Sequence, residues 1–457
     1  MSNLTSLQRK LLYLGGIVLL LIPITWLGLP AEPARGGKQG SAGGLLAQKR
    51  EQFEYGEHDL GNVDPASSTM NLLLLGFRGF ATSVLWTEAI DQQRNKDWAG
   101  LRATTESIIL LQPHFLKVWH FQGWNLAYNV SAEWDGVTDR YYWVKEGIKF
   151  FKKGRDRNAR YAELYWYVGD TTGKKIGRSD EAVQFRKYFR HDPDVARYND
   201  GPDPEVNRES LDNYQVAGIS FQQANDTIVK YDNEQHIMAP YLFRAYPQRA
   251  NFDHAMALQR EGEFGEVVRN IWADGFRDWT TKYGMMDLDC EVLNKKIHLE
   301  VSRDELAAMD KRDIAANKDP FHRETTWIGK YQDQANYPYW RARSRLESEK
   351  EMSEAHRLLY EGEEALHRAD PVNAIDLYLQ GMTKFDKLLQ DNDYKQMKTE
   401  DETIEEALLA VMGWQRSLEL IDEEIPEQFP LKDMWERNAA RQKNIRLEFD
   451  RRRRSAK

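Results

Sequence analysis

Two side chains in the carboxyl-terminal part of the chain have the spacing of a metal site. Glu364 and His367 form a Glu-x-x-His step, which on a helix places a carboxylate and an imidazole on one face. Di-iron carboxylate proteins use this step twice, together with two further glutamates on facing helices. The sequence contains no second Glu-x-x-His step. We therefore predict a solvated helix face here and no bound metal.

A segment rich in glycine and lysine, Gly169–Lys175, invites comparison with a phosphate-binding loop. The interval between its two glycines is one residue too short, and Lys175 stands where a hydroxyl residue would meet magnesium. A helix is predicted before this segment, whereas a phosphate-binding loop follows a strand. We predict no nucleotide site and no cofactor.

The segment that begins at Asp287 resembles the start of a calcium loop. However, Val292 replaces the glycine required at its sixth position, and His298 replaces the glutamate required at its twelfth. Cys290 is the single cysteine, which rules out an internal disulfide and a thiolate-only metal site. Its spacing from His298 is weak support for a nucleophile pair, so we predict a buried or idle thiol and assign no catalytic residue.

Aromatic side chains are concentrated between residues 119 and 167. Packing of rings over small residues of a facing helix accounts for most of them. The rings nevertheless exceed the few that a helical hairpin needs, so a groove that stacks on a ligand or partner stays open as a second interpretation. The candidate partner-binding residues are Trp124, Asn125, Tyr128, Asn129 and Trp134.

The spacing of large and small residues predicts the elements that position this region. One set of intervals occurs twice: in Pro113, Trp119 and Gly123, and in Ala159, Tyr165 and Gly169. Between the two sets, Phe151 is flanked by Gly147 and Gly154. This order resembles the tetratricopeptide (TPR) repeat, a helical hairpin of about 34 residues. Trp119 and Tyr165 lie 46 residues apart, so about twelve extra residues are expected, around 129–139.

A second hairpin is predicted nearer the carboxyl terminus. Gly362 is followed by Ala374, Tyr378 and Gly381 at intervals that match the TPR order. Pro371 stands where a second helix would begin, a position that favours proline. The sequence therefore predicts an all-α fold, a TPR-like helical-hairpin solenoid in which rings of one helix lie over glycines and alanines of the next.

Several motifs together resemble a family of bacterial membrane-anchored TPR-like proteins. They are the segments Asp64–Met70, Leu74–Gly79, Gln112–Phe115, Trp124–Asn129 and Arg244–Pro247. The resemblance covers roughly residues 60–285. It implies a helical-repeat body beside one membrane span, and it brings no catalytic residues to transfer to this chain.

The composition limits the classes of partner. The net charge of −9 argues against a general nucleic-acid binder, because such a protein needs a basic face to displace counterions from the phosphates. Apolar residues make up 41% of the 457 residues, enough to form a sizeable core. We expect a folded helical protein that does not bind nucleic acid.

An uncharged segment follows Arg9 and Lys10 near the amino terminus. Residues 11–29 contain no charge and would rise about 28 Å as a helix, close to the thickness of the hydrocarbon core. A cleaved signal peptide is the alternative, but Leu29 and Glu32 occupy positions where cleavage needs small residues. We predict an uncleaved anchor in the bacterial inner membrane with the body on the non-cytoplasmic side, since a ten-residue leader usually stays inside.

We predict a membrane-tethered scaffold that binds protein partners through a concave helical surface, and the sequence favours a binding protein over an enzyme. Two alternatives stay open: a glycan-active enzyme with a helical-repeat cleft, and a metal- or iron-handling protein. The predicted divisions are a leader (1–10), the anchor (11–29), a flexible tether with a short helix (30–65), a TPR-like domain (66–290), a connector (291–345) and a carboxyl-terminal TPR-like domain with a basic tail (346–457).

Overall fold

The computed structural model describes residues 6–27, 43–45, 48–49, 78–233, 236 and 238–455. The chain divides into two compact units: Met1–Val168 with Asp226–Gln235 (unit 1), and Gly169–Asn225 with His236–Lys457 (unit 2). Most of the predicted tether lies outside the described residues. Each unit is built mainly of α-helices, which confirms the all-α prediction.

The longer elements follow one another with short connections. In chain order the α-helices are α1 (Ser6–Leu27), α2 (Arg78–Arg94), α3 (Trp98–Leu111), α4 (Leu116–Trp124), α5 (Val137–Arg157), α6 (Ala162–Asp170), α7 (Ile176–Arg178), α8 (Ala182–Arg190), α9 (Val195–Tyr198), α10 (Asn213–Tyr231), α11 (Pro240–Phe243), α12 (Tyr246–Arg260), α13 (Glu266–Asp278), α14 (Arg303–Ala315), α15 (Glu324–Ala335), α16 (Tyr337–Ser348), α17 (Lys350–His367), α18 (Pro371–Gln390), α19 (Asp401–Glu419), α20 (Lys432–Arg437) and α21 (Gln442–Ser455).

Three π-helical segments and one β-hairpin complete the main elements. The π-helices are π1 (Asn125–Val130), π2 (Thr171–Lys175) and π3 (Trp279–Tyr283). The strands β1 (Leu288–Cys290) and β2 (Lys295–Ile297) pair antiparallel, with Leu288 opposite Ile297. This hairpin is a departure from the all-α prediction, and Asn294 in the left-handed conformation (φ 48°) closes its turn. Residues 110–170, all of which the structure describes, contain no strand.

Rings pack over glycines within unit 1, as the spacing predicted. A Cβ at Gly154 would lie 2.9 Å from two ring atoms of Trp119, and a Cβ at Gly123 would lie 2.6 Å from the Phe151 ring. Both rings are almost completely buried. The absence of a side chain at these two glycines allows α4 and α5 to approach each other closely.

The repeated six-residue interval corresponds to a repeated hydrogen bond. Trp119 Nε1 donates to the Pro113 carbonyl at 2.8 Å, and Tyr165 Oη donates to the Ala159 carbonyl at 3.3 Å. A third example lies in unit 2, where Trp327 Nε1 donates to the Phe321 carbonyl at 2.7 Å. Each ring is the fourth residue of its helix, so it ties the preceding turn to the first helical turn.

The predicted insertion lengthens the hairpin instead of forming a loop. Helix α4 continues directly into π1, and helical structure extends to residue 132 before a short turn leads to α5. Some of the extra residues therefore belong to the helix that continues from α4. A π-helical turn holds more residues than an α-helical turn, which locally widens the helix at 125–130.

In unit 2, the second predicted hairpin is formed by α17 and α18. The side chain of Asp370 caps α18 by accepting from the Asn373 amide, and Pro371 is the first residue of that helix. The Tyr378 ring packs against Gly362, where an added Cβ would lie 3.1 Å from it. Buried residues from Ala245 to Phe449 form one hydrophobic core, and it includes residues of the segment 291–345, such as Tyr337 and Trp340.

Helix α1 covers most of the predicted anchor. It carries large apolar side chains that are exposed, namely Leu7, Leu12, Tyr13, Leu14, Leu19, Leu20, Ile22 and Trp26. Pro23 lies inside the helix. Within the described part of the chain, no helix meets the length and hydropathy expected of a membrane span.

Candidate functional site

The five candidate residues lie on or beside π1. Three of them, Asn125, Tyr128 and Asn129, belong to π1 itself, while Trp124 ends α4. Trp134 lies in the turn before α5. The site therefore falls on a π-helical segment, a feature that occurs often at functional sites.

Asn125 is buried and forms the internal support of this region. Its Nδ2 donates to the Phe121 carbonyl at 2.8 Å, and its Oδ1 accepts from Gln93 Nε2 at 2.7 Å and from Asn129 Nδ2 at 2.5 Å. The side chain is completely inaccessible to solvent. Asn125 thus holds π1 against α2 and positions its neighbours, and it does not offer an accessible contact to a partner.

Trp124 and Tyr128 form a pair of rings of which Trp124 is exposed and Tyr128 is half-buried. Their centroids are 5.6 Å apart and their planes differ by 18°, a stacked arrangement. The Trp124 side chain is 41% exposed, although an exposed tryptophan costs hydration free energy. Stacking restricts the freedom of both rings, so a partner that binds them has less conformational entropy to lose.

A second aromatic group surrounds the turn before α5. The rings of Trp134 and Trp143 are stacked at 6.4 Å, and Tyr142 meets Trp143 edge-on at 5.4 Å. Trp134 is 43% exposed and Tyr142 is 48% exposed. Arg140 Nε donates to the Trp134 carbonyl at 2.6 Å and so fixes the turn. We call Trp124, Tyr128, Trp134, Tyr142 and Trp143 together the aromatic residues of the hairpin.

Sequence reasoning left Tyr142 and Trp143 out of the candidate set. Both lie in the aromatic-rich stretch, but helical periodicity alone did not separate exposed rings from buried ones. Tyr141, the adjacent residue, is 1% exposed and belongs to the core. The density of aromatic residues in the sequence indicated this region. Whether each ring is exposed or buried depends on how the two helices pack.

Glu133, one of the two acidic residues adjacent to Trp134 in the sequence, does not resemble a hydrolytic acid. Glycoside hydrolysis uses two carboxyl groups, one of them held protonated by an apolar environment. Glu133 is exposed, and its Oε1 lies 2.7 Å from Lys96 Nζ. This surface ion pair is suited to orienting the turn and offers no apolar environment for a proton donor.

The structure also places the candidate metal-binding and thiol residues of the sequence. His367 Nδ1 lies 3.6 Å from Glu364 Oε1, a contact between neighbouring turns of the same helix. Cys290 is buried in β1, in agreement with the prediction. Among the residues that the structure describes, no group of His, Cys, Asp or Glu side chains is arranged to hold a metal ion.

A buried charged cluster lies in unit 2. His356 contacts Glu347 through Nε2 at 2.8 Å and Glu406 through Nδ1 at 2.5 Å. Burial alone would lower the pKa of His356, but the two carboxylates raise that pKa well above its ordinary value. Burial opposes ionisation of Glu347 as well, yet His356 and Arg343 lower the pKa of its carboxyl group to about 2. The cluster is therefore an ion network that joins α16, α17 and α19.

Comparison with known proteins adds no relative. No protein-family model matches this sequence, and no curated protein matches it significantly.

Proposed function

We propose that this protein is a membrane-tethered, TPR-like helical scaffold that binds a segment of a partner protein. The observation that carries the proposal is the set of aromatic residues of the hairpin, which contact one another and of which Trp124, Trp134 and Tyr142 are exposed although apolar burial would be favourable. Tryptophan and tyrosine are the residue types that most often dominate protein–protein binding energies. Their position on paired helices makes the surface rigid before a partner arrives.

The repeated hydrogen bonds of Trp119, Tyr165 and Trp327 support the repeat part of this proposal. Three helices begin with the same ring-to-carbonyl contact, as expected when one structural unit recurs along a chain. In the proposed scaffold, stacked hairpins form a concave surface, and the partner contributes an extended or helical segment with apolar side chains.

The membrane part of the proposal rests on helix α1. Among its described residues, eight large apolar side chains are exposed, and exposed apolar patches mark membrane or protein contacts. Residues 11–29 carry no charge, and Trp26 near the end of the segment suits the lipid–water interface. We propose that this segment anchors the protein in the bacterial inner membrane, with the body on the non-cytoplasmic side.

Quantitative affinity purification from detergent extracts tests the partner proposal. We would compare the unchanged protein with Trp124→Ala and Trp134→Ala, and use Phe321→Ala as the matched control because Phe321 is also an exposed ring. We expect the same partner to be depleted by both tryptophan variants and retained by the control. A photo-crosslinking amino acid at Tyr142 should then attach to one segment of that partner.

Two results would contradict the proposal. One is that the unchanged protein enriches no partner over a mock purification. The other is that all four proteins retain the same partners to the same extent, which would place the contact elsewhere.

A further inference from the structure

A cavity of about 110 Å³, lined by both charged and apolar side chains, lies within unit 2. Residues of α6, π2, α7, α10 and α12 form its wall. Three basic side chains, Lys174, Arg178 and Arg249, and two acidic ones, Asp170 and Asp253, line it. Such a concentration of charge around one partly buried cavity is costly unless the charges are paired.

Two of the three basic groups have acidic partners in the cavity wall. Lys174 Nζ lies 2.7 Å from Asp170 Oδ1, and Arg178 forms an ion pair and hydrogen bond with Asp253. These pairs are charge-balanced. Burial raises the pKa of Asp253, although the neighbouring arginines counteract part of that rise.

Arg249 is the remaining cation. Within the described part of the chain its guanidinium makes no side-chain hydrogen bond or ion pair, and it lies over the ring of Trp340 at 5.7 Å. That ring covers the guanidinium without accepting its N–H groups. The cavity therefore has one positive charge in excess, carried by a group with five donors in a planar fork.

Two side chains of α10 hydrogen-bond the backbone of π2 and α7 beside the cavity. Asn213 Nδ2 donates to the Thr172 carbonyl at 3.0 Å, and Tyr214 Oη donates to the Gly177 carbonyl at 2.9 Å. These bonds satisfy carbonyl groups at π2 and α7, where the helical pattern changes. Gly173 is also part of the wall, so this face of π2 presents backbone to the cavity where another residue would place a side chain.

We propose that this cavity binds a small oxyanion group, a carboxylate or a phosphate group, on Arg249. A planar guanidinium matches two oxygens of such a group in a bidentate contact. Lys174 lies at the same wall, where Asp170 pairs with its positive charge. The size of the cavity suits the anionic group of a small molecule. This site is independent of the aromatic residues of the hairpin.

Isothermal titration calorimetry on the full chain in detergent tests the proposal, with inorganic phosphate and acetate as the two probes. We expect saturable heat with at least one of them, and the probe that binds identifies the phosphate or the carboxylate source. Arg249→Gln should weaken binding at least about tenfold, which corresponds to about 1.4 kcal/mol. Arg249→Lys should keep the charge, lose the fork and give an intermediate affinity.

Two further variants make the result specific. Arg416→Gln removes one positive charge from unit 2 at a position outside the cavity wall, and we expect it to leave the affinity unchanged. Asp170→Asn should tighten binding because it removes the negative charge beside Lys174. A variant that fails to fold would not bind more tightly. The proposal is overturned if neither probe gives saturable heat, or if Arg249→Gln and Arg416→Gln bind as tightly as the unchanged protein.

Discussion

Replacement of Gly123 by alanine measures how closely α4 and α5 approach each other. An alanine in an exposed helix interior is more stable than glycine by about 1 kcal/mol. Here the new Cβ would lie 2.6, 2.7 and 2.8 Å from three atoms of the Phe151 ring, whereas carbon atoms in contact prefer about 3.5–4.0 Å. The ring is 1% exposed and has little room to move.

The expected sign follows from the two magnitudes. Overpacking of a filled core costs about 1–3 kcal/mol, and three contacts this short favour the upper half of that range. After the helix-propensity gain is subtracted, Gly123→Ala should destabilise unit 1 by about 1–2 kcal/mol. Gly329→Ala, in α15, is the matched control, because no atom lies within 4 Å of its added Cβ. It should stabilise unit 2 by about 0.5–1 kcal/mol.

Hydrogen exchange measured by mass spectrometry reads the two units separately. Peptides from residues 116–157 should exchange roughly 5- to 30-fold faster in Gly123→Ala, since each 1.4 kcal/mol of opening free energy is about tenfold. The double variant Gly123→Ala with Phe151→Leu should recover part of the loss, because a smaller side chain relieves the contact. Equal stabilisation by Gly123→Ala and Gly329→Ala would refute the close packing of this hairpin.

Three further predictions concern buried polar groups and the thiol. Because the pKa of His356 is raised in the folded state, its contribution to stability is complete below pH about 6.5 and should fall by about 1.4 kcal/mol per pH unit as the pH rises toward the folded pKa. Denaturant unfolding between pH 6 and 9 should show this slope, and His356→Gln should remove it. A slope that persists in His356→Gln would show that Glu347 and Glu406 do not stabilise a proton on His356. Asn125→Ala should cost about 1–3 kcal/mol by leaving buried partners unsatisfied, measured as faster exchange of π1 peptides, and unchanged exchange would contradict its supporting role. Cys290 is buried and is the single cysteine, so a thiol reagent should label it only as fast as unit 2 opens; rapid labelling of the native protein would show that the thiol is accessible.

Local sequence patterns determined the helical elements and their close contacts. The intervals from Pro113 to Trp119 and from Ala159 to Tyr165 became the same ring-to-carbonyl hydrogen bond. The pairing of Phe151 with Gly123 followed from the alternation of small and large residues. Such features are predictable because the period of a helix and the conformational limits of proline and glycine act over a few residues.

Tertiary structure alone decided which polar groups meet. Gln93 lies 32 residues before Asn125 and yet hydrogen-bonds its side chain, which turned a predicted contact residue into a buried support. Arg178 and Asp253 are separated by 75 residues and pair in the wall of the cavity. Helical periodicity assigns a face to each residue, but the packing of whole helices determines the residue that lies opposite. A pattern of large and small residues does not specify the angle at which two helices cross. Helix packing therefore decided which rings are exposed and left the guanidinium of Arg249 without an acidic partner among the described residues.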